Sequence, residues 1–295
     1  MKIIQLKENK KPKRSLEPQT PTTTTAVVDV KEQENDLNLE NYIPSVNYIE
    51  REFYGDIVQI LDKGLTPYLI GESGTGKTAF AEWYASKNKL PLLIVNCDYK
   101  NLREMLGQYT LKNGLTGPIT EFQLGLLTHC LTNEAVVLFD EVNSLEGEYL
   151  FFLHELINNR RVFVPEVNTT FDLRGKIILS SNPTGRVYYG TNPLNYALLS
   201  RVVMYEVPLW GEIELEKLIK DKDIVKFFLE ANKMSKEQNL GVYLGIRELL
   251  QYQTLEGVFS KKKALEVAFL NKVKSSADEG TAEAFRGLAM SVLGV

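Results

Sequence analysis

The stretch Gly71-Glu72-Ser73-Gly74-Thr75-Gly76-Lys77-Thr78 constrains this chain more than any other. It is a complete G-x-x-x-x-G-K-[ST] phosphate-binding loop. Glycines let the backbone curl so that successive N–H groups point inward at a β-phosphate. Lys77 brings positive charge to the β- and γ-phosphates, and the Thr78 hydroxyl is placed to ligate Mg²⁺. The loop works only between a strand and a helix. Leu65 to Ile70 is a short apolar run that reads as the strand, and Ala79 to Lys87 reads as the helix whose positive end faces the anion. These residues predict a nucleoside triphosphate site on an α/β framework.

A second motif completes the first. Ala135-Val136-Val137-Leu138-Phe139-Asp140-Glu141 is an apolar strand ending in two acids. Acids at the end of a buried strand are costly unless they meet a cation. Asp140 is placed to share a Mg²⁺ ion with Thr78. Glu141 is placed to polarise a water for attack on a γ-phosphate.

Bulk properties exclude several classes. The net charge of −4 argues against a surface built throughout for nucleic acid, although a local basic path stays open. Two cysteines, Cys97 and Cys130, make neither a disulfide framework nor a cysteine-rich zinc pattern, and they fit a reducing cytoplasm. His129 and His154 are too few for a histidine metal site, and no role is assigned to them. No apolar run is long enough to span a membrane, and the N-terminus lacks the apolar core of a secretory signal.

Along the chain, residues 1–44 read as a disordered tail. Lys10 to Arg14 is basic, Pro18 to Thr25 is rich in Pro and Thr, and Lys31 to Asp36 is mostly acidic. Such a segment buries too little to offset its ordering entropy. It is either a plain solvated tail or a docking arm. Residues 45–210 alternate strands and helices, which predicts a parallel sheet sandwiched by helices. Within this part Ile119 to Thr132 has Phe122, Leu126, Leu127 and Cys130 at helical spacing. Residues 211–295 carry helical period with little β-branched content, the pattern of a small all-α lid domain. There Glu212 to Asn232 reads as one helix, with Ile213, Leu215, Leu218 and Ile219 as its core stripe.

Residues from about 45 to 295 resemble the AAA+ ATPases, in particular the MoxR and dynein-related branch of small chaperone-like ATPases. Ile177-Ile178-Leu179-Ser180-Ser181-Asn182-Pro183 resembles the family's sensor strand, which implies that Asn182 positions the γ-phosphate or the lytic water. Leu194 to Arg201 resembles the helix end whose arginine finger, here Arg201, reaches a neighbouring subunit's ATP. Leu244-Gly245-Ile246-Arg247 resembles the start of the lid helix that carries a second sensor arginine. Many relatives have Ser-Pro-Arg there, and Gly-Ile-Arg departs from that pattern.

Two inserts fit the branch. Asn113-Gly114 between extended flanks is a tight hairpin signal. In the family such a hairpin faces the central pore of a ring, which makes Tyr109, Leu111 and Leu115 candidate substrate-gripping residues, or the hairpin is an ordinary surface one. Arg161 to Phe171 reads as a second hairpin, preceded by Arg160.

The resemblance implies ATP and Mg²⁺ as ligands and a homo-oligomeric ring, a hexamer, with active sites shared between subunits. It implies hydrolysis coupled to remodelling of a protein client, with a von Willebrand A-domain protein as partner. The alternative is an ATP-driven nucleic-acid motor of restriction or viral type, and a non-catalytic scaffold is a third reading. The hairpin carries Lys112 as its sole basic residue, which favours the protein client.

Overall fold

The computed structural model describes residues 38–46, 48–97, 102–114, 117–145, 147–183, 194 and 196–294. Most of the expected tail therefore lies outside the described residues. Its last stretch is ordered: Leu39–Tyr42 form a 3₁₀ turn capped by the Asn38 side chain, and Leu39 packs against the core.

A five-stranded sheet is the frame. Its members are β1 (Pro67–Ile70), β2 (Leu92–Asn96), β5 (Val136–Asp140), β8 (Lys176–Ser181) and β9 (Val203–Glu206), in the order β2-β5-β8-β1-β9. Every pairing is parallel. The composition of β5 explains why. Val136 and Leu138 enter one core and Val137 and Phe139 the other, all fully buried. A strand apolar on both sides must be covered on both sides. On the first face lie α1 (Tyr54–Asp62) and α2 (Lys77–Asn88), through Ile57, Leu61, Phe80 and Tyr84. On the second lie α3 (Leu102–Leu106), α4 (Leu126–Thr132), α5 (Gly147–Asn159) and α6 (Tyr196–Leu199), through Leu102, Leu127, Leu153 and Leu198.

Register brings the carboxyl ends of the central strands to one edge. Ile70 stands opposite Ser181, and Phe139, one residue before Asp140, stands opposite Leu179. Open α/β sheets bind ligands at that edge.

Two antiparallel hairpins project from the frame: β3 (Gly107–Gly114) with β4 (Gly117–Leu124), and β6 (Arg161–Val164) with β7 (Thr169–Asp172). The first corrects the expected helix over Ile119 to Thr132. Only Leu126–Thr132 is helical, and Phe122 reaches the core from a strand. Gly125 makes the break. A Cβ there would stand 2.2 Å from the Met105 carbonyl oxygen, and its N–H donates to the Leu106 carbonyl at 2.8 Å. The tip also moves. Asn113 pairs with Pro118 and Gly114 with Gly117, so Asn-Gly ends a strand and does not form the turn. The hairpin is anchored at its base, where Tyr109 meets Phe122 edge-on at 5.2 Å between ring centres. Leu115 lies outside the described residues.

Beyond residue 211 the chain is helical: α7 (Glu212–Glu216), α8 (Lys222–Glu237), α9 (Ile246–Glu256), α10 (Lys261–Leu265), a π-helical stretch Glu266–Leu270, α11 (Asn271–Ser276) and α12 (Glu279–Leu293). These helices enclose a separate core around Phe227, Phe228, Leu249, Tyr252, Phe269 and Phe285. The single helix expected over Glu212 to Asn232 is two. Asp221 caps α8 by accepting from the N–H groups of Asp223 and Ile224, which ends the first helix before it. Leu215 and Ile219 are buried as expected, but Ile213 is 75% exposed because the short α7 turns it to solvent.

Candidate functional site

The phosphate-binding loop connects β1 to α2. Gly74 and Gly76 have φ of +79° and +89°, the left-handed region that glycine enters without strain. Gly71 is needed for a different reason: a Cβ there would lie 3.0 Å from both the Val207 carbonyl oxygen and the Thr75 hydroxyl. Lys77 opens α2 and is 7% exposed. Its ammonium donates to the carbonyls of Gly71 at 2.6 Å and Glu72 at 3.1 Å, and to Asn182 Oδ1 at 3.0 Å. Burial lowers its pKa to about 8. Asp140 and Glu72 pull it back upward, whereas Arg247 pushes in the same direction as burial.

Asp140 ends β5, and its carboxylate is held on both oxygens. Ser180 Oγ donates to Oδ1 at 2.5 Å, and the Glu141 N–H donates to the same oxygen at 3.1 Å. Thr78 Oγ1 donates to Oδ2 at 3.3 Å. The last pair fits Mg²⁺, a hard cation that takes one or two protein oxygens and completes its shell with phosphate and water. Two oxygens this close can occupy neighbouring positions of its octahedron. Glu141 follows with φ +56° and ψ +41°. A non-glycine residue in this region costs about 1 kcal/mol, and such strain concentrates at functional sites.

Asn182 follows β8, beside β1, and its backbone carbonyl accepts from Asn143 Nδ2 at 3.3 Å. Arg247 arrives from the helical domain. The buried Asn232 side chain brackets Leu244, donating to its carbonyl at 3.0 Å and accepting from its N–H at 2.8 Å. Glu248 reaches back to the Gly245 N–H at 3.0 Å and starts α9. Gly245 sits directly on the phosphate loop, where a Cβ would be 2.7 Å from the Ser73 carbonyl oxygen. The Gly-Ile-Arg departure thus has a packing reason.

The result is one pocket of about 310 Å³. Ser73, Gly74, Gly76, Lys77, Thr78, Asp140, Glu141, Asn182 and Arg247 line it. Gly71, Glu72 and Thr75 lie in the loop behind this lining, with Thr75 buried. Arg201 is not brought to the pocket. It is exposed beyond α6 and donates to the Ala197 carbonyl of its own helix.

Sequence reasoning missed several residues here. Tyr48 and Glu82 also line the pocket, and Tyr48 donates to Glu82 at 2.7 Å. Ser180 could have been read from its place in the Ser-Ser-Asn strand end. Arg51, which donates to the Thr75 carbonyl at 2.5 Å, belongs to no local pattern.

The chain is similar to several known proteins. An uncharacterized protein of Bacillus subtilis, YojN, is 26% identical over 236 residues, covering 74% of this chain and 76% of that protein. An uncharacterized protein of Staphylococcus epidermidis is 25% identical over 230 residues, covering 72% and 85%. Among solved structures, NtrX from Brucella abortus in complex with ADP has a TM-score of 0.40 at 15% identity, and the match spans 66% of this chain and 43% of that one. Residues 68–202, from β1 to just past Arg201, match the AAA domain of the dynein-related subfamily. The phosphate loop and the acidic strand end both fall inside this matched segment, so residues 68–202 are similar to the AAA domain of the dynein-related subfamily.

Proposed function

We propose that this protein hydrolyses ATP and uses the cycle to remodel a protein client as a ring of identical subunits, in the manner of a MoxR-like chaperone. The observation that carries the reading is the convergence of Lys77, Asp140, Glu141, Asn182 and Arg247 on one pocket. In this reading Lys77 neutralises the β- and γ-phosphates, and Glu141 takes a proton from the attacking water. Asn182 orients that water or the γ-phosphate. Thr78 and Asp140 would hold Mg²⁺, which supplies further neutralisation of phosphate charge. Arg247 reports the phosphate to the helical domain, and closure of that domain would convert hydrolysis into movement.

The exposure of Arg201, away from its own pocket, supports a role in a neighbour's site and hence a ring. A hexamer is the expected closure. The β3–β4 hairpin supports a protein client. It exposes Tyr109, Leu111 and Ile119, and Lys112 is paired with Glu121 at 2.7 Å. A hairpin with exposed apolar side chains along its strands and a neutralised lysine suits an unfolded polypeptide better than a phosphate backbone. A von Willebrand A-domain protein is the partner the family suggests, and the cytoplasm is the proposed location. No helix among the described residues is long and apolar enough to cross a membrane.

The test is steady-state ATP hydrolysis by purified protein, titrated with an unfolded polypeptide, single-stranded DNA, double-stranded DNA and RNA. Glu141→Gln is the control. Activity that ignores nucleic acid and disappears in Glu141→Gln supports the proposal. Many-fold stimulation by one nucleic acid, lost at higher salt, would replace it with the motor reading. Absence of hydrolysis at concentrations where rings form would leave only a scaffold.

A further inference from the structure

Arg51 carries a full charge, yet its side chain is only 1% exposed. A buried cation is costly unless its donors are met. Nε and Nη2 form a two-pronged pair with Glu214, both at 2.9 Å. Nη1 donates to the Thr75 carbonyl at 2.5 Å. Nη2 also donates to the carbonyls of Pro208 and Leu209, each at 3.1 Å. The guanidinium lies 4.3 Å from the centre of the Trp210 ring and 5.0 Å from that of Phe53. Trp210 in turn donates its indole N–H to the Gly74 carbonyl at 2.8 Å. One side chain therefore joins the segment before α1, the phosphate loop, the linker after β9, and α7.

These contacts fall on the outer side of the loop. In a trans peptide the carbonyl and the N–H point in opposite directions. Holding the Thr75 carbonyl from outside turns the Gly76 N–H inward, and Gly76 lines the pocket. A flexible Gly-rich loop has many conformations, and few of them aim an N–H at an anion. The fork also explains the residue type. Arginine offers five N–H donors in one plane, whereas lysine offers three on a single atom.

We propose that Arg51 is a positioning residue that sets the geometry of the phosphate loop and, through Glu214, ties that geometry to the orientation of the helical domain. Its consequence for nucleotide affinity rests on the nucleotide-binding reading above. The geometric part does not.

Hydrogen exchange on the full chain separates the two. Peptides covering 71–78 and 208–216 are compared in wild type, Arg51→Lys and Glu214→Gln. Losing charge-assisted hydrogen bonds should speed exchange of both peptides in Arg51→Lys by about tenfold. In Glu214→Gln, which keeps the Thr75 contact, the change should be confined to 208–216. Peptides from β5 and α8 should not change, whereas a general loss of stability would move them too. Exchange of 71–78 in Arg51→Lys within about twofold of wild type overturns the proposal, and so does unchanged exchange of 208–216 in Glu214→Gln. Fluorescent ADP supplies the second arm. Binding should weaken about tenfold in Arg51→Lys and far less in Glu214→Gln. A wild type that binds no ADP, with the exchange pattern intact, sinks the nucleotide reading and leaves the strut. ADP binding that Arg51→Lys does not alter sinks the proposal and leaves that reading.

Discussion

Under the proposed function, Lys77 makes nucleotide affinity depend on pH over a range set by its burial. The proposed role needs a charged ammonium, but burial holds its pKa at about 8 where an ordinary lysine sits at 10.5. That gap corresponds to about 3 kcal/mol against the charged form. At 7% exposure, solvent screens little of it. The protein without nucleotide therefore carries the charge fully below about pH 7 and has lost most of it by pH 9. Phosphate raises the pKa again, so binding above pH 8 must take up a proton, and affinity falls as pH rises. With a midpoint near 8, affinity for ADP should drop about tenfold from pH 7 to 9 and about tenfold more by pH 10. The assay is a titration with fluorescent ADP at constant ionic strength from pH 6.5 to 10. Lys77→Met should bind weakly with no alkaline slope, and its curve also removes the titration of the nucleotide's own phosphate. Wild-type affinity that stays flat from pH 7 to 9.5, or an equal slope in Lys77→Met, would refute the reasoning.

Three further outcomes follow from packing and capping. Gly245→Ala places a Cβ 2.7 Å from the Ser73 carbonyl oxygen and 3.2 Å from Gly74 Cα, which should cost about 1–3 kcal/mol in urea unfolding and weaken ADP binding. A Gly245→Ala protein as tight for ADP as wild type would show that α9 does not need this approach. Phe80→Ala empties a site that is 0% exposed among Tyr54, Trp83 and Tyr84, and should lose about 3–5 kcal/mol by chemical denaturation. Asp221→Ala removes the cap of α8 and should cost about 1 kcal/mol at neutral pH. Burial raises the Asp221 carboxyl, but Lys261 and the Ile224 N–H outweigh that and hold it below the ordinary aspartate value of 3.8. The benefit is therefore complete above that value and fades as pH falls through the lower folded one, so the mutant and wild-type stabilities should converge in acid.

Much of this protein is legible in consecutive residues, because the chemistry itself is local. Curling a backbone around a phosphate takes a run of glycines, and eight neighbours from Gly71 to Thr78 contain it. The apolar run before Asp140 had to be a strand covered on both faces, and it is. Hairpin registers and helix breaks were less legible. Ile119 to Thr132 has helical spacing, but strand pairing with Gly107–Gly114 and the crowding at Gly125 override it. Ile213 looks like core and is exposed, because Asp221 caps a new helix and leaves α7 only five residues long.

Sequence alone therefore determined the loop, the acidic strand end and the α/β class, since each depends on residue type at short spacing. Only the tertiary structure decided which distant groups meet them. Arg51 and Glu214 are 163 residues apart, and Lys77 and Asn182 are 105 apart. Arg247 reaches the pocket because Gly245 lets two backbones touch. Periodicity records which face of an element is buried, but it carries no information on what is buried against that face, and long-range pairs of charges leave no pattern in the chain.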